Sequence, residues 1–212
     1  MNKQTKYWLS TGKGWTDRNA PNVNIKARAR TFKDLISNLP IKTILEVGCN
    51  KGYNLTALST IGNYELMGID ILDYAIDNTE CNRNIITLLT ANAFNLPFVD
   101  SSFDLVLTSC FFCIFPYKDI QKLSNEISRV SSRYILIIEY SILTITRDDL
   151  ELSVTLRGSP LFWARNYQNI FEGYYCISNQ KEFLTDEEAR LRGFNDPLIA
   201  YWLFEKKNEI RT

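Results

Sequence analysis

The sequence predicts an α/β chain organised around a mostly parallel sheet with helices on both faces. Three observations predict it. Short apolar runs near 43–47, 65–69, 85–89, 104–109 and 134–140 alternate with helical patterns, the layout of parallel strands joined by right-handed crossovers. The first run ends in an acid and a small-residue corner, Glu46-Val-Gly-Cys-Asn-Lys-Gly52. The second, Glu65-Leu-Met-Gly-Ile-Asp70, ends in another acid about twenty residues on, the spacing at which a nucleoside site gains its ribose ligand.

Taken in order, the elements follow from local pattern. Lys6–Asn19 mixes aromatics and glycines with the cluster Asp17-Arg18-Asn19 and is expected to fold over a ligand as a lid. Asn24–Leu39 places Ile25, Ala29, Phe32, Leu35, Ile36 and Leu39 on one helical face, and Pro40 ends it. The first strand follows, then a helix over about 52–60. The second strand leads to a helix near 72–81. The fourth strand leads to a helix at 117–130, and the fifth strand runs to 140. Leu198–Phe204 reads as a final strand. The segment 141–171 stands outside the bare pattern, over the edge where a substrate would enter. The 212 residues are expected to form one domain, with 1–40 as lid and helix and 141–171 as a substrate-side insertion.

Composition narrows the function. Twenty-four basic and 24 acidic residues cancel, so no electrostatic footprint for duplex nucleic acid is expected. No apolar run reaches the ~18 residues of a membrane span, and the polar N-terminus does not read as a signal peptide. The cytoplasm is the expected location. Five scattered cysteines, including Cys110-x-x-Cys113, lack a second ligand pair, so no metal is expected. With no histidine in the chain, any general base must be a carboxylate, a tyrosine, a cysteine or water.

The corner is specific in what it lacks. A dinucleotide fingerprint needs G-x-G-x-x-G, and a P-loop ends G-K-[ST]; this corner reads E-x-G-x-N-x-G. It resembles the first motif of class I S-adenosylmethionine-dependent methyltransferases, with Asn50 at a position that usually carries glycine. Asparagine tolerates the left-handed backbone better than most residues. Asp70 either takes ribose hydroxyls or caps the helix near Leu72. Thr90-Ala-Asn-Ala-Phe94 resembles the segment that reads adenine, with Asn92 where aspartate is common. Phe94 either covers the adenine face or belongs to the core. Asp104 is expected to tie the fourth strand to a neighbouring loop.

The combination of Trp8, Gly12 and Arg18-Asn19 with ILEVGCNKGYNL, LPFVDSSFDLVLTS, SRYILIIEY and LRGSPLFWARNY resembles the pseudaminic acid biosynthesis-associated methylases. That resemblance implies a Rossmann-like methyltransferase fold with a mostly parallel seven-stranded sheet and helices on both faces. It implies S-adenosylmethionine as cofactor, held by Glu46, Gly48, Cys49, Asn50, Gly52, Asp70, Ile71, Asn92, Ala93, Phe94 and Ser109. The implied acceptor is a hydroxyl or amine of a sugar or a nonulosonic acid-type precursor of surface glycans. Arg18, Asn19, Arg157 and Arg165 are the candidates for gripping it, since guanidinium groups pair two-pronged with carboxylates. Glu139 and Tyr140, at the end of the fifth strand, are candidates for positioning the acceptor. Cys113 joins them because relatives often carry histidine there. Two alternatives stay open: a protein or RNA substrate, and a non-catalytic partner protein on the same fold. The small molecule is the expected partner of a monomer or homodimer.

Overall fold

A computed structural model describes residues 3–19, 23–141, 152–156, 159–180, 182, 184–194 and 196–207. Helices α1 (Lys3–Asn19) and α2 (Ile25–Ile36) precede strand β1 (Thr43–Val47). Then come α3 (Tyr53–Leu58), β2 (Glu65–Asp70), α4 (Asp73–Asp77), β3 (Ile86–Thr90) and β4 (Phe103–Ser109). A 3-10 turn (Phe112–Ile114) leads into α5 (Tyr117–Val130) and β5 (Ser131–Tyr140). The C-terminal part holds the hairpin β6 (Leu152–Leu156) and β7 (Ser159–Ala164), then β8 (Tyr174–Asn179), α6 (Asp186–Leu191) and β9 (Ile199–Lys206).

Seven strands form one sheet in the order β3-β2-β1-β4-β5-β9-β8. The first five are mutually parallel; β9 runs antiparallel to β5, and β8 antiparallel to β9. This is the expected Rossmann-like methyltransferase fold. The order reverses beside β1, so a crevice opens above the carboxyl ends of β1 and β4, where such sheets bind ligands. Among the described residues no helix is long and apolar enough to cross a membrane.

Side-chain alternation explains why both faces are covered. Along β1, β4 and β5, Ile44, Leu105, Leu107, Leu136 and Ile138 join one buried cluster with Phe32, Ile36 and Leu55. Their neighbours Leu45, Val47, Val106, Ile135 and Ile137 join a second cluster with Leu123, Ile127 and Trp202. Strands buried on both faces read as near-continuous apolar runs, and that is why β1 and β4 were legible. Asp104 accepts backbone N–H bonds from Lys42 at 2.8 Å and Thr43 at 3.0 Å, tying β4 to the entry of β1.

The helices differ from expectation in length more than in place. In α2 the Asn24 side chain caps Ala27 N at 3.0 Å. Helices α3 and α4 are shorter than their patterns suggested, each ending within two turns. Residues 3–19, expected as a lid, form one helix. Helix α6 was not expected, although Thr185 and Glu188 form a capping box at its start.

Candidate cofactor site

The corner after β1 is built from left-handed backbone. Gly48 (φ 80°), Asn50 (φ 49°) and Gly52 (φ 81°) turn the chain sharply into α3. Gly48 N and Cys49 N both donate to Ile69 O, at 2.8 and 2.9 Å, which pins the corner to the end of β2. A methyl group at Gly48 would lie 2.4 Å from Phe111 Cδ2, so only glycine fits between the corner and that ring.

Asp70 caps the chain before α4 and lines the first cavity. Its Oδ1 accepts from Leu72 N at 3.0 Å and its Oδ2 from Asn50 N at 2.9 Å. It therefore caps the chain leading into α4 and braces the corner, while its side borders a cavity. Each oxygen keeps a second lone pair for a ligand hydroxyl. Burial raises its pKa against the pull of these backbone donors.

Two cavities flank the corner. Each has a volume of about 150 Å³. The first runs past Asp70, Ile71, Asn92, Ala93 and Phe94. The second runs past Glu46, Cys49, Asn54, Tyr53 and Arg28. Gly48, Asn50, Ser109, Cys110 and Trp15 border both and form the neck between them. Cys110 at the neck is also left-handed (φ 52°), a sparsely populated conformation for cysteine.

The walls of the first cavity are aromatic. Phe94 is half-buried and meets Phe115 edge-on at 5.4 Å. Asn92 turns its amide oxygen back to accept from Phe94 N at 3.0 Å, which fixes the loop. The roof is α1: Thr5, Trp8 and Trp15 border the cavity. Trp8 and Trp15 meet edge-on at 5.8 Å. Asn50 Nδ2 donates to Thr16 Oγ1 at 3.0 Å, Tyr74 OH donates to Asp17, and Leu72 sits against Gly12. The helix thus closes on the corner, on α4 and on the residue that precedes it.

The second cavity has a charged floor. Glu46 is 1% exposed. Its Oε1 accepts from Asn54 Nδ2 at 2.6 Å, and Asn54 Oδ1 accepts in turn from Arg28 Nη1. Arg28 Nε donates to Gly193 O at 3.2 Å, so the loop after α6 orients it. Burial is the largest influence on Glu46 and pushes its pKa up to about 8.

Ten of the eleven expected cofactor residues border one or both cavities. Gly52 does not; it starts α3 and serves the turn. The catalytic and substrate candidates divide differently. Tyr140 borders the second cavity. Glu139 is a correction: it is fully buried and accepts from Phe111 N, Phe112 N, Cys113 N and Thr108 Oγ1 at 2.9 to 3.2 Å, so it holds the segment after β4 and does not face an acceptor. Cys113 is fully buried in that same turn, and burial raises its thiol well above the ordinary range, so no thiolate forms there.

Arg165 is also a correction. It is 4% exposed and donates to Phe112 O at 3.0 Å and to Phe115 O, underneath the aromatic turn. Its outer surface borders a separate cavity beside Gln121 and Asn169. Arg18 is exposed on α1. Arg157 and the side chain of Asn19 lie outside the described residues.

Several site residues escaped the sequence reading. Trp8 and Trp15, seven apart, share a helical face, and that spacing was a usable signal. Arg28 sits between two buried alanines on the edge of the apolar face of α2, and nothing in its neighbourhood marks it.

Residues 45–133 match the family model described as Methyltransferase domain. An uncharacterized protein from Haemophilus influenzae is 24% identical over 168 residues, covering 69% of this chain and 67% of that protein. A Haloferax volcanii putative methyltransferase, solved in complex with the Trm112 methyltransferase activator, superposes with a TM-score of 0.66 at 16% identity, over 96% of this chain and 99% of that one. Phosphoethanolamine N-methyltransferase 1 of Haemonchus contortus, solved with phosphoethanolamine and S-adenosylhomocysteine, gives 0.66 at 15%, over 98% of this chain and 49% of its own. At such identities the structures speak for the fold alone. Residues 45–133 carry a methyltransferase domain on that fold, and an S-adenosylmethionine-dependent methyltransferase with S-adenosylmethionine as cofactor is the class of enzyme they support.

Proposed function

We propose that the chain methylates a hydroxyl or amine of a small molecule, a sugar or nonulosonic acid-type precursor of surface glycans, in the cytoplasm. One observation carries the placement of the cofactor. Two cavities meet at a neck formed by the left-handed Gly48, Asn50 and Cys110 with Ser109 and Trp15, with an acid suited to ribose on one side and a buried acid and a guanidinium on the other. Nucleoside, sulfonium and amino-acid ends follow in that order. The residues fit the group: Glu46 lines the cavity where an ammonium belongs, and its Oε2 is buried with no hydrogen-bond partner among the described residues.

Asp70 holds the ribose and Phe94 covers the base. Gly48 and Ser109 leave room at the neck, while Glu46 and Arg28 face the two charges of the amino acid. When bound, the cofactor supplies an electrophilic methyl on a sulfonium. Alignment is then the main task left to the protein, and orientation alone contributes several kcal/mol. Trp15, Tyr53 and Tyr140 border the second cavity. Cys110, with its thiol pushed up to about 12 by burial, stays neutral at the neck.

The acceptor class rests on the resemblance carried by Trp8, Gly12, Arg18-Asn19 and the 156–167 segment. Incubation with the methyl donor and a panel of nonulosonic acids and sugar nucleotides tests it. A gain of one methyl by mass spectrometry on such an acceptor supports the reading; methylation confined to proteins or RNA sinks it. The fold likeness to a protein solved with a methyltransferase activator favours a second reading, in which a partner protein completes the enzyme. Activity that appears only on adding cell extract protein would select it.

A further inference from the structure

Glu46 stands apart from the other acids of the site. Asp70 has backbone donors on both oxygens, whereas Glu46 has one donor, Asn54, on Oε1. Its Oε2 is buried and lacks a partner among the described residues, and the residue lines the second cavity. A buried carboxylate oxygen with no N–H or O–H donor from the protein is unstable as an anion.

Resting on the cofactor placement above, we propose that Glu46 is protonated in the ligand-free protein and gives up that proton when the amino-acid ammonium of the cofactor settles against Oε2. The step balances simply. A carboxylic acid and an ammonium become a carboxylate–ammonium pair, the ammonium keeps its three hydrogens, and the carboxyl proton passes to solvent. No bond other than that O–H is broken.

The surroundings agree. Arg28 from α2, Asn54 from α3, Asp70 from the end of β2 and Cys49 from the corner face Glu46. Arg28 and Asn54 favour the anion, while burial and Asp70 oppose it, and burial is the larger influence. Cys49, Cys110 and Tyr53 all have their pKa values raised, so none of them competes as the proton source near neutrality. Cofactor affinity is therefore linked to pH through a single buried group, and the site binds weakly in acid.

Isothermal titration with S-adenosylhomocysteine, at one pH near 6.5 and in two buffers of different ionisation heat, tests the inference. The expected result is release of nearly one proton per ligand bound, with affinity rising close to tenfold per pH unit between about 6 and 7.5. Methylthioadenosine, which lacks the amino-acid end, should bind with no proton release and a flat pH profile. In Glu46→Gln the homocysteine ligand should lose its proton release. Equal, proton-free, pH-independent binding of both ligands to the native protein overturns the inference and leaves the cofactor site standing. Failure of both ligands to bind overturns the cofactor site and the inference with it.

Discussion

Glu139 and Arg165 grip the same turn from opposite sides. Glu139 accepts the N–H groups of Phe111, Phe112 and Cys113, and Arg165 donates to the carbonyls of Phe112 and Phe115. The turn carries Phe111, Ile114 and Phe115 into the wall of the first cavity. Glu139 and Arg165, both buried, thereby set the shape of the first cavity without lining it. Removing one partner leaves buried groups unpaired, at about 1–3 kcal/mol for each. Arg165→Met should lower unfolding stability by about 2–4 kcal/mol in chemical denaturation. Its affinity for S-adenosylhomocysteine should fall only in step with loosening of the turn. Unchanged stability with abolished acceptor turnover would instead return Arg165 to the substrate.

Gly48→Ala tests the corner. The new methyl would meet Phe111 and would hold a side chain at φ 80°. Strain of about 1–2 kcal/mol is expected from the backbone alone, before the clash is counted. Calorimetry should show donor binding weakened by tenfold or more. Adding Phe111→Ala should restore part of the lost stability, because the two positions touch and their effects do not add.

Asn50 is the hinge between corner and roof. Glycine keeps its left-handed backbone but removes the Thr16 contact. Asn50→Gly should leave the fold intact. Backbone amides of α1 should then exchange with deuterium roughly fivefold faster, the effect of losing one hydrogen bond of about 1 kcal/mol. Thr16→Val should do the same, and the paired variant should do no more. Additive effects would show that the two residues act separately.

The raised pKa of Glu46 also predicts how ligand-free stability depends on pH. Its ordinary value of 4.5 becomes about 8 in the fold. Between these values the folded chain holds a proton that the unfolded chain has released. Stability from this group is therefore complete below about 4.5 and is lost as pH rises through about 8. Asp70 and Glu139, both also raised, add to the same slope. Urea midpoints should fall from pH 5 to pH 8 in the native chain and fall less in Glu46→Gln. A midpoint that rises over that range contradicts the assignment.

Local chemistry was readable where it repeats along the chain. The run Thr43–Val47 is buried on both faces, so every residue in it is apolar except the terminal Thr43 and Glu46, and the strand announced itself. The corner was readable because left-handed turns demand glycine or asparagine. Asp70 was readable because strand length sets the spacing from one strand end to the next. Helix α1 was harder: Gly12 and Gly14 weaken its pattern, and it holds its place by contacts with Leu72, Tyr74 and Asn50.

Glu139, Tyr140 and Arg165 show the limit. A strand end near the crevice says nothing about which way a carboxylate turns, and adjacent residues on a strand face opposite sides. Tyr140 reaches the second cavity while Glu139 turns inward to three backbone N–H groups, since an unpaired buried N–H costs more than an exposed tyrosine. The first five strands, the corner and the acid that follows it come from patterns spanning a few residues, and these survive in one dimension. The neck between the cavities, the Glu46–Asn54–Arg28 chain and the two charges under the aromatic turn join residues 8 to 53 positions apart. Such contacts exist only once the sheet has closed, because it is burial that decides which polar groups must find one another.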